Sequence, residues 1–562
     1  LTGRTLAERL SIFRHATRFK ARRARRAVTK PLRLINQLRA RGPQRLLIAP
    51  QDIRTSDPTI ADDIYAGYFA FGARIVDARG SSPFAIVPPN ADWEAGLLGF
   101  GWLRHLRASQ TELARENARA LVREFLALHA RPHRSSAWRA DIAARRTISW
   151  ISQSPLLLEG ADSDFYRLFV RSIGRHVAFL KSEMRDGVRG EARLFTAIAL
   201  AQATLCSDGY ASLQKRAGKW LDEELKRQIL ADGGHIGRNP KTIIELLLDL
   251  LPLRQAYSAR NFTPPAEIAG AIDRMMPMVR LFRHPDSSIA LFNGMGVTEP
   301  DVLATLLTYD DARGQAILNA PHSGYQRLEG DDLVLVMDAG APPSADFSSA
   351  AHAGSLSFEL SAHGHRLVVN CGAPGQHGAL REAARLTAAH STLTLADQSS
   401  AFIPYEAGGR DWMEGKILIG PSPIIAKRLD EEEACSVEAT HDGYAAAFGL
   451  LHTRNVLVFT NGARVEGRDR LTPAGRRGQD APYAIRFHLH PSVRAGRIEN
   501  GLGALLVTPG GEQWTFHAGG AQVDIEESAF FATPDRPRAT HQLVIRGTAQ
   551  AQPEVNWVFM RG

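Results

Sequence analysis

The stretch AHAGSLSFELSAHGHRLVVNCG, residues 351–372, decides how the second half of this chain folds. Leu356, Phe358, Leu360 and Ala362 alternate with Ser357, Glu359 and Ser361. Leu367 and Val369 continue the period after a short break. That alternation predicts two strands with one face in a core, joined by a turn at His363-Gly364-His365. Three histidines, His352, His363 and His365, fall in or beside the hairpin. The spacing of His363 and His365 resembles a ligand pair, but in a turn between strands it reads as solvated side chains. The open question is whether His352 binds a metal, moves protons or does neither.

The same period of two runs through the rest of the C-terminal half. DLVLVMDAG, HSTLTLAD, VLVFTNGARV, YAIRFHLHP, ALLVTPGG and HQLVIRG are short alternating runs. The TNG and PGG segments predict hairpin turns between them. His441, Asp442 and Tyr444 in HDGY, and His488 and His490 in FHLHP, fall at expected strand ends and read as sheet residues. From about residue 60 to residue 310 the apolar residues instead recur at helical spacing, as in ENARALVREFLALHA and KTIIELLLDLLPLRQAY. Ser163 and Asn239 are expected helix caps, the latter before Pro240. The change of period lies near TYDDARGQAILNAPHSGYQRL, residues 308–328. Helices followed by strands imply separate domains. The expected architecture is multidomain, an N-terminal (α/α) toroid followed by a C-terminal antiparallel β-sandwich. Its divisions are a basic arm over residues 1–45, the toroid over 46–312 and the sandwich over 313–562.

A length of 562 residues suits two large domains. The formal net charge is +9, but residues 1–45 alone carry 14 basic residues against Glu8. The arm is therefore at +13, which leaves the remainder of the chain at −4. The arm reads as a solvated basic helix, with weak contact to an anionic membrane surface as the alternative. No aromatic interleaving or DNA-binding motif points to nucleic acid. Cys206, Cys371 and Cys435 are too few and too scattered for a disulfide framework and read as buried thiols. No phosphate-binding loop, dinucleotide fingerprint or serine-nucleophile elbow occurs.

Five segments in order resemble the heparinase II/III-like polysaccharide lyases. They are AWRADIAARRTISWI, ADGGHIGRNPKTIIELLLDLLPLR, HAGSLSFELSAHGHRLVVNCG, RLTAAHSTLTLADQSS and HDGYAAAFGLLHTRNVLV. The resemblance spans roughly residues 50–560 and implies the same toroid-plus-sandwich fold. It also implies β-elimination on a uronate-containing polysaccharide. That chemistry needs a neutraliser for the C6 carboxylate, a base for the C5 proton and an acid for the leaving oxygen.

Carried over position by position, the motifs depart from the family at the reaction centre. In RGEARLFTAIAL, Gly190 matches, but Glu191 stands where the family has its neutralising Asn and Ala192 where it has His. In DGGHIGRNPKT the tyrosine position is Thr242, whose hydroxyl has no accessible pKa. Arg238, His235 and Glu191 remain as candidate catalytic or anion-binding residues. Asn239, Asn293 in LFNGMG and Tyr257 are candidates for substrate contact, Tyr257 as a replacement phenol. In the sandwich, the proton-transferring His becomes Ala350. The metal ligands implied by the resemblance fall on His352, His390 and Asn370, with an amide in place of the family's aspartate. Two imidazoles and an amide lack the anionic ligand of ordinary zinc sites, so zinc or another divalent ion is an expectation for a degraded site only.

Two functions follow as expectations. The first is a lyase acting on an acidic polysaccharide. The second is a non-catalytic glycan-binding or regulatory protein on the lyase fold, handling envelope or exopolysaccharide. The family's glycan chemistry suggests the periplasm, whereas the absence of a visible signal segment suggests the cytoplasm.

Overall fold

In the computed structural model the described residues are 6–38, 40, 42–129, 135–309, 314–375, 378–405, 415–417, 419–498, 501–534 and 536–562. The expected domain boundary at 312/313 lies outside them. The last helix of the first domain, Pro300–Thr308, precedes it, and the first strand of the second, Asn319–Ala320, follows it.

The helical domain is built where the sequence shows a period of 3.6. Helices Glu112–His129, Ala140–Ser152, Ser163–Asp186, Glu191–Leu205, Ala211–Gln228, Pro240–Ala259 and Ala266–Phe282 bury one another's apolar faces in a single core. Glu191–Leu205 is buried nearly all round, as a central helix must be. Asn239 caps Pro240–Ala259 as expected, its Oδ1 accepting from the Lys241 amide at 2.9 Å. The cap of Ser163–Asp186 is Asp162, which accepts from Phe165 N at 2.6 Å, so the cap falls one residue before the expected Ser163. A hairpin, Tyr68–Phe71 with Arg74–Asp77, interrupts the helices. Its Gly72-Ala73 turn has two left-handed residues, the geometry that matches strand twist.

At the centre of the helical core sits Arg146, fully buried with no carboxylate partner among the described residues. Its guanidinium donates to His176 Nε2, Leu98 O and Ala137 O. Phe125, Trp138 and Trp150 supply π faces at 4.6, 5.5 and 5.9 Å.

The second domain holds an eight-stranded and a nine-stranded antiparallel sheet among the described residues. Phe358, Phe487, Trp557, Phe516 and Phe559 form the centre of the core between them. The stretch 351–372 forms the expected hairpin, Phe358–Ala362 with His365–Val369. His363 and Gly364 occupy the turn at φ 47° and 77°. His363 is only partly exposed and lies 3.2 Å from Glu512, so the turn is a docked one rather than simply solvated. All three cysteines are buried and unpaired.

The arm is a helix, Leu6–Leu38, that bridges both domains. Arg26 pairs with Glu183 of the helical domain, while Ile12 packs on Ala345 and Arg22 approaches Asp346 of the second domain. Arg14, Arg18, Lys20 and Arg23 stay exposed. Among the described residues no helix is long and apolar enough to cross a membrane.

Candidate functional site

The site grows from the corner that starts helix Glu191–Leu205. Gly190 turns the chain at φ 61°, and a Cβ there would strike the Asp346 carbonyl at 2.3 Å. Gln228 holds the corner by donating from Nε2 to Gly190 O at 3.2 Å. His235 in turn donates from Nε2 to Gln228 Oε1 at 3.1 Å and accepts from Gly237 N on Nδ1 at 3.0 Å. That fixes its tautomer, and burial pulls its pKa down to about 3. His235 therefore positions the Glu191 corner and has no free nitrogen for proton transfer, contrary to its expected catalytic role.

Across from this corner, Thr242 donates its hydroxyl to Glu191 Oε1 at 3.1 Å. Burial raises the pKa of the Glu191 carboxyl, opposed by the Thr242 bond. The two residues line a cavity of about 250 Å³ with Asp141, Arg145, Asn239, Lys241 and Glu245. A Cβ on Gly294 would lie 3.0 Å from Ala350 Cβ and 3.1 Å from Asn239 Nδ2. So Glu191, Thr242, Asn239 and Ala350, the positions singled out in the sequence, gather at one place.

Arg238 is not in that cavity. It lies 7% exposed between the two domains. Its guanidinium donates to Ser323 O at 2.7 Å, Gly340 O at 3.0 Å, Ala341 O at 3.2 Å and Asp338 Oδ1 at 2.5 Å, over the face of Tyr325. An arginine committed in this way joins domains and does not bind a substrate anion. Asn293 belongs to the same junction. Its Nδ2 donates to Tyr325 and Asp338, its Oδ1 accepts from His352 N at 3.0 Å, and at 2% exposure it is closed off from substrate. Tyr257 is packed inside the helical core, where burial pushes its pKa up to about 12, and it lines none of the cavities described here. These three placements correct the expected catalytic and substrate roles.

The expected metal residues meet, but as a hydrogen-bonded pair. His390 donates from Nδ1 to Leu386 O at 2.8 Å, so its Nε2 accepts from His352 Nδ1 at 3.0 Å. Burial keeps both neutral, His390 at about 4 and His352 well below its usual value. Asn370 Oδ1 is already the acceptor for Ser391 N at 3.0 Å. No group of three or more His, Cys, Asp or Glu side chains could hold a metal ion among the described residues. Two imidazoles that satisfy each other, with a committed amide and no carboxylate, do not fit zinc.

Sequence reasoning missed the rest of the cleft. A second cavity of about 250 Å³ continues the first through Arg145, Ile148, Lys241 and Glu245. It opens past Arg104 into a larger space of about 750 Å³ walled by Tyr68, Phe71, Ile75 and Trp102. Beneath it lies a charge cluster. Arg54 reaches Glu245 at 2.8 Å and Asp249 at 2.9 Å, and Arg145 reaches Asp249 at 2.7 Å. These arginines pull Glu245 down to about 2 against the effect of burial. Arg104 and Lys241 make no ion pair among the described residues. Arg104 donates only to Thr55 O and Gly101 O, and Lys241 is exposed. The signal that could have found this floor is Glu245 and Asp249, two acids one turn apart in a leucine-rich helix, which must recruit cations from elsewhere.

The comparisons with known proteins agree with this anatomy. A family model described as Heparinase II/III-like, C-terminal, matches residues 312–558. The chain is 31% identical over 536 residues to FtsZ-localized protein C of Caulobacter vibrioides, covering 92% of this chain and 91% of that protein. A crystal structure of heparinase III superposes with a TM-score of 0.68 at 14% identity, over 85% of this chain and 78% of that one. A mutant of heparan sulfate lyase HepC from Pedobacter heparinus superposes with a TM-score of 0.61 at 16% identity, over 95% and 88%.

Proposed function

The chain belongs to the heparinase II/III-like family and carries its lyase fold, and from that membership we propose that it binds an acidic polysaccharide in the toroid cleft without cleaving it by β-elimination. The observation that carries the reading is the Thr242–Glu191 hydrogen bond. It occupies the spot where elimination calls for a phenol and a carboxylate neutraliser. A threonine hydroxyl cannot take the C5 proton at neutral pH. A carboxylate beside the C6 carboxylate raises the barrier that the site should lower. Among the described residues no imidazole or phenol lines the cavity at Glu191 to replace them.

Binding is supported by the cleft's length and composition. Three joined cavities give room for several sugar units, with an aromatic wall at one end. Arg104 and Lys241, cations that make no direct ion pair among the described residues, suit the carboxylates of uronate units. The test is direct. Purified protein is incubated with a panel of uronate-containing glycans, and both affinity and the ultraviolet absorbance of the unsaturated product are followed. Binding without product supports the reading. Product formation that survives purification to homogeneity overturns it.

The relative's name favours a second setting, in which this protein works beside the cell-division machinery. A fluorescent fusion that gathers at the division site of its bacterial host would support it. One that stays dispersed through the cell cycle would count against it.

A further inference from the structure

Glu191 differs from the other acids of its cavity. Glu245 is held by Arg54 and Arg145, and Asp141 by Arg139. Glu191 makes no ion pair among the described residues. Its single hydrogen bond there is the one Thr242 donates to Oε1. Lys241 stands on the same rim and its charge eases the Glu191 carboxylate, but it makes no ion pair with it. A largely buried carboxylate with one neutral donor is costly to keep charged, and the cost falls when a cation arrives.

Asn239 supplies a second, independent pointer to a ligand. Its side chain is 8% exposed, and its Oδ1 is spent on the Lys241 amide. Its Nδ2 donates to nothing among the described residues, and Asn239 lines the same cavity as Glu191. A residue with an unused amide donor and a residue with a carboxyl that makes no ion pair therefore line one cavity. A sugar bearing an ammonium group and neighbouring oxygens satisfies both: the ammonium donates to Glu191, and Asn239 donates to a hydroxyl or ring oxygen.

Resting on the glycan-binding reading above, we infer that Glu191 and Asn239 form a subsite for an amino sugar with a free ammonium group. Uronate units lie beside this subsite against Lys241, which lines both cavities, and farther along the cleft against Arg104. The ligand class is thus a zwitterionic glycan, in which acidic units adjoin amino sugars that are not N-acetylated. The carboxylate that would obstruct a uronate lyase is, in this arrangement, the group that selects the ligand.

The test uses the full chain and two forms of one polymer. One is an alternating glucuronate–N-acetylglucosamine polysaccharide; the other is the same polymer after chemical N-deacetylation. Affinity for both is measured by titration calorimetry. The expected result is binding about tenfold or more tighter to the deacetylated form, the worth of one charge-assisted hydrogen bond. In Glu191→Gln, which keeps the shape and removes the charge, the two forms should bind alike. Equal affinity of the wild-type chain for both polymers overturns the subsite while glycan binding stands. A preference retained in Glu191→Gln overturns its assignment to Glu191. Binding of neither polymer overturns the subsite together with the reading on which it rests. The wild-type comparison needs no variant, so a folding defect cannot mask the answer.

Discussion

The Thr242 hydroxyl donates to Glu191 across 3.1 Å, and in doing so it ties the first turn of helix Pro240–Ala259 to the first turn of helix Glu191–Leu205. The bond is the only described hydrogen bond to a carboxyl that burial already disfavours in its charged form. Thr242→Val keeps the volume and removes the donor. The expected cost is roughly 1 kcal/mol of unfolding free energy, read by urea denaturation, together with a further rise in the Glu191 pKa. Unchanged stability would mean that solvent already supplies the carboxyl.

Arg238 offers a sharper contrast between roles. Its partner Asp338 is as buried as it is, and removing one member of such a pair leaves an uncompensated charge. Arg238→Ala should lose about 3–5 kcal/mol of stability, measured by chemical denaturation. If Arg238 were a substrate-binding residue, the variant would instead keep its stability and lose glycan affinity alone.

The His352–His390 pair predicts metal content. Wild-type protein purified without chelators should carry far less than one zinc per chain by elemental analysis. Asn370→Asp, which returns an anionic ligand beside the pair, should raise that content toward one. A stoichiometric metal in the wild-type chain would show that Asn370 can be recruited from Ser391.

Acid stability has a defined sign. Burial lowers the folded pKa of His235 and His488 to about 3, and of His105 and His390 to about 4. The unfolded chain binds protons at these sites first, so stability declines as pH falls below about 6.5. Glu245, held at about 2 by Arg54 and Arg145, adds a second loss between its ordinary range near 4.5 and about 2. Unfolding free energy measured from pH 7 to pH 3 should therefore fall in two stages. Glu245→Gln should make the lower stage shallower without abolishing it, because His235 and His488 still titrate there, and a profile that is level down to pH 5 would refute the histidine contribution.

The strands and helices were legible because each buries one face, which leaves a period of 2 or 3.6 in the sequence. The hairpin Tyr68–Asp77 was not, since two four-residue strands among helices give too short a pattern. The candidate site was legible only in part. Glu191, Thr242, Asn239 and Ala350 do converge. Arg238 and His235 share a motif with Asn239 and Thr242, yet Arg238 turns to the domain junction and His235 to Gln228, and sequence spacing does not say which atoms of a motif meet solvent. Arg54 and Glu245 meet across 191 residues of chain, a distance at which no local pattern survives.

The domain junction is bridged at several points. Arg238 with Asp338, Asp232 with Ser323 and His284 with Glu359 all cross it. Arg327 reaches over to donate to Leu281 O and Arg283 O at the end of helix Ala266–Phe282. The long N-terminal helix lies across both sides as well. Hinge closure would have to break several of these bonds at once. The two domains are thus clamped as a bracket of fixed span rather than hung as a jaw.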